Sequence, residues 1–488
     1  MRATITRHPR RATILLYGGA TAYIICVHLA TNGVLGFHID ELYYLACGRH
    51  LAFGYVDFPP VAPLLARFET GVLGVTPWSL RVLPALLGGV NVILCGAFVR
   101  KLGGSLKLQA LALLIGITMP AIVGTWLFQT VIFDQVIWMV SLYLFLCLVK
   151  EPNPRTWVLL GVALGVGLEV KFTILALIAG IAIAVLLTPP LRRELRTRYP
   201  WIAACIALLI WTPNVIWQAV NGFPTVAYVL NHQGGTGGPG SFVVGFLLLL
   251  ALAAPLWVAG IISLFRSRDL RALGIACAVP IVIFFFEGKY YYPAPTFPLI
   301  MAAGLLALSH IKRPRVRSSL VMAVAVASVL DLAGLAKITL PITAPDHLHA
   351  SGLDSFYGDT VGWVPITQQI TAIYGSLPAS ERSQTVIVSS YYGVTGALDV
   401  YADATLPPAS FSPQLSDYFW LPTNLSATYA IMVGYSPSDI DWMCTSTKVV
   451  AHLTVPYDVQ NLEQGMPVTF CHLKEPLPQE WSRLKNFS

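Results

Sequence analysis

The chain has 488 residues, of which 56% are hydrophobic and only 11% are charged, and its mean hydropathy is +0.67. Soluble proteins carry roughly 25% charged residues, so this composition excludes a cytosolic enzyme, a disordered regulator and an ordinary nucleic-acid-binding protein. It predicts an integral membrane protein. The net charge of +7 would also fit an anionic partner, but membrane topology accounts for most of the basic residues.

Ten apolar runs are long enough to cross about 30 Å of hydrocarbon. The fifth run, residues 156–188, is too long for one span and carries Glu169 and Lys171 at its middle. Basic clusters flank it on both sides, so we interpret it as a hairpin of two helices. The sequence therefore predicts about eleven transmembrane helices. The runs lie near residues 12–32, 79–100, 106–124, 130–149, 156–188, 200–218, 241–265, 271–287, 293–309 and 318–338.

The distribution of lysine and arginine predicts the orientation of these spans. With the N-terminus inside, 20 of the 31 basic residues fall on the cytoplasmic side. This bias predicts a cytoplasmic N-terminus and, with an odd number of spans, an extracytoplasmic C-terminus of a multi-pass protein of the cytoplasmic membrane. The first apolar run follows a basic segment but lacks a small-residue cleavage site, so we interpret it as a signal anchor.

The composition changes after the last apolar run, which separates a transmembrane domain (1–340) from a soluble domain (345–488). The soluble part alternates helical and strand-like patterns, which predicts a small α/β domain on the outer membrane face. Helical patterns cover 361–374, 392–401 and 436–443, and strand patterns cover 385–389, 429–433, 448–455 and 467–473. The predicted fold class is thus a polytopic α-helical membrane protein with a C-terminal α/β domain.

The eight cysteines show no CxxC spacing, and six of them lie in or beside apolar spans, where single buried thiols are expected. Cys444 and Cys471 both fall in the exported domain. An oxidising compartment would allow a disulfide between them, and geometry decides whether it forms, so both states remain open.

The densest group of polar residues follows the first span. Asp40 and Glu41 are adjacent and would point about 100° apart on a helix, so only one of them is expected to face a given cavity. Alternatively, Asp40 merely caps the next helix. The polar and aromatic residues of this first outer loop are His38, Asp40, Glu41, Tyr43, Tyr44, Arg49, Tyr55 and Asp57.

Further charges are predicted at the outer edge of other spans. Ionisable groups near hydrocarbon are costly, which favours one shared cavity in which carboxylates face ammonium groups. Alternatively, the lysines snorkel to the interface and the tyrosines at 290–292 form an aromatic belt. These charges are Asp134, Glu169, Lys171, Glu287 and Lys289.

Three segments carry a family resemblance: Asp40-Glu41, GYVDFPP at 54–60 and GKYYYP at 288–293. Together they resemble the bacterial branch of the protein-mannosyltransferase and aminoarabinose-transferase family, polytopic glycosyltransferases of the GT-C superfamily. The resemblance covers about residues 1–310. It implies a sugar donor linked to polyprenyl phosphate, with Asp40, beside Glu41, as the catalytic base.

The resemblance also implies a phosphate site, at Lys289 with Tyr291 or Tyr292. In aminoarabinose transferases a lysine follows the acidic residue of the first loop, whereas here Phe58 follows Asp57. Lys171 or Arg49 would replace that lysine, and lipid A or aminoarabinose specificity does not carry over. The remaining residues expected to bind substrate are His38, Tyr55, Asp57 and Asp134.

The sequence thus predicts a cell-envelope glycosyltransferase that transfers a sugar to a glycan, lipid or protein acceptor on the outer side of the membrane. Such chemistry needs a base for the acceptor proton and cations for the leaving phosphate. The sequence contains neither a phosphate-binding glycine loop nor a dinucleotide-binding fingerprint, which argues against a nucleotide-sugar donor. The glycine-rich segment 234–240 is interpreted as a flexible outer loop. A transporter or lipid flippase, and a polymerase or ligase of lipid-linked polysaccharide, are the alternatives.

No cofactor is expected, and a divalent metal is the less favoured alternative. His38, Glu41 and Asp57 have ligand-type side chains but lack the spacing of a metal site. The C-terminal domain is expected to serve acceptor binding or folding. Its acidic residues are interpreted as a solvated surface without a paired base or cation. They are Asp354, Asp359, Asp399, Asp403, Asp417, Asp439, Asp441 and Asp458.

Overall fold

The structure is a computed structural model that describes residues 8–124, 126–231, 238–339, 342, 344–347, 357–402, 410–457 and 461–487. It contains two compact units. The first unit comprises Met1–Thr31, Arg81–Ile216 and Gln233–Leu340, and the second comprises Asn32–Leu80, Trp217–His232 and Pro341–Ser488. The first outer loop therefore belongs to the same unit as the C-terminal residues.

The helices follow the apolar runs closely. Up to residue 231 they are α1 (His8–Thr31), α2 (Ile39–Arg49), α3 (Val61–Leu73), α4 (Pro77–Leu80), α5 (Val82–Lys101), α6 (Leu106–Thr118), α7 (Pro120–Val123), α8 (Thr130–Lys150), α9 (Pro154–Leu168), α10 (Ile174–Leu187), α11 (Pro189–Glu194), α12 (Tyr199–Val220) and α13 (Pro224–Asn231). The next helices are α14 (Gly238–Leu250), α15 (Ala254–Arg266), α16 (Arg271–Glu287), α17 (Phe297–Ser309) and α18 (Pro314–Thr339).

Several of these helices have the length and apolar composition of membrane spans. Within the described ranges six qualify: Arg11–Thr31, Pro77–Lys101, Thr130–Lys150, Tyr199–Val220, Gly238–Arg266 and Pro314–Ala333. Shorter apolar helices cover Leu106–Thr118, Pro154–Leu168, Ile174–Leu187 and Ala294–Ser309. The predicted polytopic helical fold is confirmed, and the count of eleven spans stays a prediction.

The fifth apolar run divides into two helices, as predicted. α9 ends at Leu168, α10 begins at Ile174, and the turn between them contains Glu169 and Lys171. Gly167 lies in α9 just before this turn, and a Cβ there would come within 2.8 Å of the Ile174 side chain. The charged pair is thereby removed from the middle of a span and placed at a turn.

Small residues let helices of the first unit approach closely. A Cβ at Gly180 of α10 would lie 2.6 Å from the Ala276 carbonyl oxygen of α16, so a side chain would force these helices apart. The backbone of α17 at Ile300 similarly leaves no room for a Cβ at Gly260 of α15. Helices in lipid usually associate through such close contacts, because the hydrophobic effect contributes little free energy to association between apolar surfaces that lipid already covers.

The C-terminal part of the second unit contains a sheet of five strands covered by short helices. The strands are β1 (Thr385–Ser389), β2 (Ser410–Phe411), β3 (Tyr429–Val433), β4 (Cys444–His452) and β5 (Pro467–Leu473), in the order β2-β1-β3-β5-β4. β2, β1 and β3 are parallel, whereas β5 is antiparallel to both β3 and β4. The helices here are α19 (Trp363–Ser376), α20 (Ala379–Arg382), α21 (Tyr392–Tyr401), α22 (Pro437–Ile440) and α23 (Leu477–Leu484).

The predicted α/β domain is confirmed, with two local differences. The fourth strand begins at Cys444 instead of residue 448, because the alternation of β-prone residues does not mark where antiparallel pairing with β5 starts. The helical pattern at 436–443 yields only the single turn of α22. Cys444 and Cys471, left open by the sequence, form a disulfide that joins β4 to β5.

Candidate functional site

The first turn of α2 separates the roles of the two adjacent carboxylates. Glu41 accepts a hydrogen bond from the backbone N–H of His38 at 2.8 Å, and His38 Nδ1 accepts one from the Asp40 N–H at 3.1 Å. This reciprocal pair is a capping box, which satisfies two N–H groups that helix geometry leaves unpaired. Glu41 is fully buried in this role. The alternative in which Asp40 caps the helix is wrong, because His38 and Glu41 perform the capping.

The Asp40 carboxylate is contacted by the start of α21. Tyr392 donates its hydroxyl hydrogen bond to Asp40 Oδ1 at 3.1 Å, and the Asp40 side chain remains 36% exposed. Burial and then the Asp40 charge raise the pKa of Tyr392 well above its usual value, so this hydroxyl stays a hydrogen-bond donor. A residue about 350 positions away in the chain thus orients the proposed base.

Two glycines allow α21 to lie directly on α2. A Cβ at Gly393 would lie 2.6 Å from the side chain of Ile39, and one at Gly396 would lie 2.8 Å from the Cβ of Leu42. Larger residues at either position would displace α21. The hydrogen bond from Tyr392 to Asp40 depends on this close packing.

A second chain of hydrogen bonds begins at Asp57. Tyr43 donates its hydroxyl to Asp57 Oδ1 at 3.0 Å and accepts from the Ser416 backbone N–H at 2.9 Å, while its ring lies 4.7 Å from the ring of Tyr392. Tyr43 is buried, and burial followed by the Asp57 charge raises its pKa well above the usual value. Tyr392 and Tyr43, whose rings contact each other at a tilt of 34°, therefore bind Asp40 and Asp57 respectively.

Three of the C-terminal carboxylates lie near this region and differ in their exposure to solvent. Asp417 is buried and accepts from the Thr395 hydroxyl at 2.9 Å, and Asp399 forms an ion pair with Arg49 at 2.8 Å. Burial raises the pKa of Asp359; His38 opposes this shift and Asp40 adds to it. The prediction of a solvated acidic surface is therefore wrong for Asp417, which tertiary packing encloses. Asp399 lies at the surface, but the prediction that it lacks a paired cation is wrong because Arg49 pairs with it. Asp359 is half-buried.

Asp439 and Asp441 are exposed, which agrees with the predicted solvated acidic surface. Asp354, Asp403 and Asp458 lie outside the described residues, as does most of the glycine-rich segment 234–240. Sequence reasoning missed Tyr392 and the burial of Asp417. Neither residue belongs to a motif, and no local pattern in the sequence marks their contacts.

Two other predicted site residues of the loop are engaged within the second unit. Tyr55 is only 1% exposed, and its hydroxyl donates to the Cys47 carbonyl at 3.0 Å and accepts from the Ala52 N–H at 3.2 Å. Arg49 also donates to the Asp399 backbone carbonyl at 3.1 Å. Their assignment to substrate or phosphate stays a prediction, and phosphate binding by Arg49 would require its ion pair to rearrange.

The first unit holds a separate group of cations and aromatic rings. The Lys171 ammonium lies 4.6 Å from the centre of the Tyr292 ring and 5.9 Å from that of Tyr291, which is cation–π geometry. In the same turn Thr173 donates to Asp134 at 2.7 Å. The predicted residues Lys171, Tyr291 and Tyr292 are therefore brought together.

Lys289 follows the end of α16, where Gly288 adopts a left-handed conformation with φ of 74°. A residue with a Cβ is strained there, so glycine sets the direction in which the chain leaves the helix. Partial burial first, and the Lys171 ammonium second, lower the pKa of Lys289, while Glu287 opposes the shift. The two ammonium groups lie in the same region as the Glu287 carboxylate, and their N–H donors are suited to bind an anion such as phosphate.

No grouping of three or more His, Cys, Asp or Glu side chains with the geometry to hold a metal occurs among the residues that the structure describes. The loop residues His38, Glu41 and Asp57 are instead engaged as described above. A carboxylate that is partly exposed and oriented by a tyrosine has the properties of a general base. Paired lysines beside tyrosines have those of a phosphate site.

A family model described as dolichyl-phosphate-mannose-protein mannosyltransferase matches residues 57–217. The chain is 26% identical over 222 residues to the lipopolysaccharide core galacturonosyltransferase RgtB from Rhizobium johnstonii, a match that spans 44% of this chain and 44% of that protein. Less than half the length of that relative is therefore matched.

Solved structures extend the similarity to nearly the whole chain. ArnT from Cupriavidus metallidurans in the apo state matches with a TM-score of 0.64 and 14% identity, over 94% of this chain and 98% of that one. The same protein bound to undecaprenyl phosphate matches with a TM-score of 0.59 and 16% identity, over 95% and 98% of the two chains.

The archaeal oligosaccharyltransferase AglB from Archaeoglobus fulgidus, in complex with an inhibitory peptide and a dolichol-phosphate, matches with a TM-score of 0.55 and 14% identity. That match covers 88% of this chain and 70% of AglB. The family model and the galacturonosyltransferase match agree with the resemblance predicted from the sequence, and the solved structures confirm the polytopic membrane fold.

The buried carboxylate Glu463 provides a test of how the second unit responds to pH. Its side chain is 1% exposed, and burial, with a further contribution from Asp359, raises its pKa to about 7. The folded state therefore retains a proton that the unfolded chain releases near pH 4.5, so stability falls as pH rises from about 4.5 to about 7. The substitution Glu463→Gln removes the titrating group, so the variant should not lose this stability as the pH rises.

We expect Glu463→Gln to be more stable than the wild type at pH 8 by roughly 1–3 kcal/mol, and the difference to disappear near pH 4. Thermal unfolding of the purified proteins in detergent at both pH values measures it. Glu475→Gln changes an exposed carboxylate and serves as the control. If the stability of the Glu463→Gln variant and that of the wild type changed equally with pH, the raised pKa would not belong to Glu463.

Proposed function

We propose that this chain, a membrane protein with a GT-C-like fold, is a glycosyltransferase that moves a sugar from a polyprenyl-phosphate-linked donor to an acceptor outside the cytoplasmic membrane. The match to the mannosyltransferase family, the galacturonosyltransferase RgtB and an ArnT structure bound to undecaprenyl phosphate support it. The observation that carries the proposal is the Asp40 carboxylate, which is partly exposed and oriented by Tyr392.

Asp40 is the proposed general base. The acceptor hydroxyl attacks the anomeric carbon of the donor sugar, Asp40 takes the hydroxyl proton, and the bond between the anomeric carbon and the phosphate oxygen breaks. The polyprenyl phosphate leaves with the bonding electrons. Glu41 is less suited to this role because its carboxylate is buried and bound to the His38 N–H.

Tyr392 is proposed to act through Asp40 as a positioning residue. The hydrogen bond from the Tyr392 hydroxyl fixes the orientation of the carboxylate, so its proposed benefit is geometric. Tyr43 is proposed to hold Asp57 in the same way, which places the C-terminal domain in support of the loop that carries the base.

Lys171 and Lys289, with Tyr291 and Tyr292, are proposed to bind the donor phosphate. An ammonium beside the leaving oxygen stabilises charge that develops as the glycosidic bond breaks. Burial first, and the Lys171 charge second, lower the pKa of Lys289, and a bound phosphate would oppose both effects. We assign substrate contacts to His38, Asp57 and Asp134, and less directly to Tyr55.

The proposed topology has a cytoplasmic N-terminus, a transmembrane domain over 1–340 and an extracytoplasmic domain over 345–488. The partners are then a lipid-linked sugar and a glycan, lipid or protein acceptor. The polyprenyl tail remains in lipid while the sugar faces outward, in agreement with an active site at the membrane edge.

Asp40→Asn is expected to lower transfer by 10²–10⁴-fold without loss of folding, because an amide cannot accept the acceptor proton. Glu41→Gln is expected to reduce stability instead, since it weakens the capping box. Both variants are compared in detergent with undecaprenyl-phosphate-linked galacturonic acid and other undecaprenyl-phosphate sugars as probe donors, with release of undecaprenyl phosphate as the readout. Near-normal turnover by a folded Asp40→Asn protein would refute the assignment of the base.

Tyr392→Phe is expected to lower kcat by about tenfold while leaving the donor KM nearly unchanged, because it removes one hydrogen bond that orients Asp40. Tyr391→Phe removes a neighbouring hydroxyl and is the matched control. A change confined to thermal stability would show that Tyr392 has only a structural role.

Lys289→Ala is expected to raise the apparent KM for the probe donor by roughly tenfold, because a charge-assisted contact to phosphate is lost. Lys289→Arg should retain most of the affinity. Lys312→Ala removes an exposed lysine elsewhere in the first unit and is the charge control. An unchanged KM in Lys289→Ala would exclude this lysine from the phosphate site.

A further inference from the structure

An open groove lies between the N-terminal ends of α9 and α12 in the first unit. Its volume is about 450 Å³. It is lined by apolar side chains below two arginines and a tyrosine, namely Val158, Leu159, Ile202, Arg155, Arg198 and Tyr199. Among these lining residues are two positive charges and no negative one.

Small residues explain why the groove is present. A Cβ at Gly161 of α9 would lie 2.5 Å from the Ala203 carbonyl oxygen of α12, and one at Gly165 would lie 2.9 Å from the Ala207 Cα. The helices therefore touch backbone to backbone over these two turns. Towards their N-terminal ends larger side chains replace the small ones, and the space between the helices widens into the groove.

The polar end of the groove favours an anion. Arg155 lies in the first turn of α9, Arg198 directly precedes α12, and both side chains are exposed. Both helices present their N-terminal ends here, so the backbone dipoles add to the arginine charges. The Arg198 guanidinium lies 5.5 Å from the centre of the Tyr199 ring, which holds it at the rim.

The other end favours an acyl chain. Leu159 is 54% exposed and Ile202 is 37% exposed; α12 has the length and composition of a membrane span, and α9 is a shorter apolar helix. A ligand that satisfies both ends needs a negatively charged head and an apolar tail. Basic pockets between membrane helices with this arrangement bind anionic lipid head groups.

We infer that this groove binds one anionic phospholipid, with the phosphodiester between Arg155 and Arg198 and an acyl chain along Val158, Leu159 and Ile202. The predicted topology places this end of both helices on the cytoplasmic side. The bound lipid would bridge the N-terminal ends of α9 and α12, where the two helices are not in direct backbone contact.

Native mass spectrometry of the full-length protein in detergent, titrated with phosphatidylglycerol or phosphatidylcholine, tests this inference. We expect the wild type to prefer phosphatidylglycerol, and Arg155→Gln/Arg198→Gln to lower its apparent affinity by about tenfold or more. Arg192→Gln/Arg193→Gln removes two nearby exposed arginines outside the groove and should change the affinity little.

Leu159→Trp provides a second variant, because it fills the apolar end and leaves both arginines in place. It should also reduce phosphatidylglycerol binding, and inorganic phosphate at the same concentration should not compete. Equal binding of the two phospholipids, equal losses in the two double-arginine variants, or displacement by phosphate alone would overturn the inference. Stronger binding of undecaprenyl phosphate than of phosphatidylglycerol would overturn it as well.

Discussion

The capping of α2 is the constraint from which the proposed chemistry follows. A helix start must satisfy its unpaired N–H groups, and here Glu41 and His38 do so reciprocally. The capping position of Glu41 keeps its side chain buried, whereas the neighbouring Asp40 remains partly exposed and accepts a hydrogen bond from Tyr392. Two adjacent carboxylates of nearly identical chemistry thus differ in surroundings, because Glu41 is bound by a backbone N–H and Asp40 by the hydroxyl of Tyr392.

The second unit maintains several carboxyl groups in surroundings that disfavour their charge. Burial raises the pKa of Asp417 well above its usual value; the Thr395 hydrogen bond opposes this shift, and the charges of Asp399 and Asp57 add to it. Glu463 and Asp359 show the same tendency. Such perturbed groups gather at functional sites more often than elsewhere, because a protein optimised for stability alone would replace them with apolar residues.

The first unit places its unusual residues at turns and helix ends. Lys171 lies in the turn between α9 and α10, and Lys289 follows the left-handed Gly288 at the end of α16. Backbone groups that are not paired within a helix are tolerated in a membrane protein only where protein or water surrounds them. The cations proposed to bind phosphate and the arginines of the lipid groove therefore lie where continuous helix ends, while the glycine contacts hold the spans together.

The sequence by itself determined the membrane class, the positions of the long helices, the β1, β3 and β5 strands and the residues that carry the family resemblance. These features follow from local composition and periodicity, which act over a few helical turns or one strand. The count of spans is less determined, because short apolar helices such as α6 and α10 fall below the length of a full crossing. Only the tertiary structure decided that Glu41 caps α2, that Asp417 is buried and that Tyr392 contacts Asp40. These outcomes depend on the close packing of α21 on α2, between residues about 350 positions apart, and no local pattern encodes a contact at that separation.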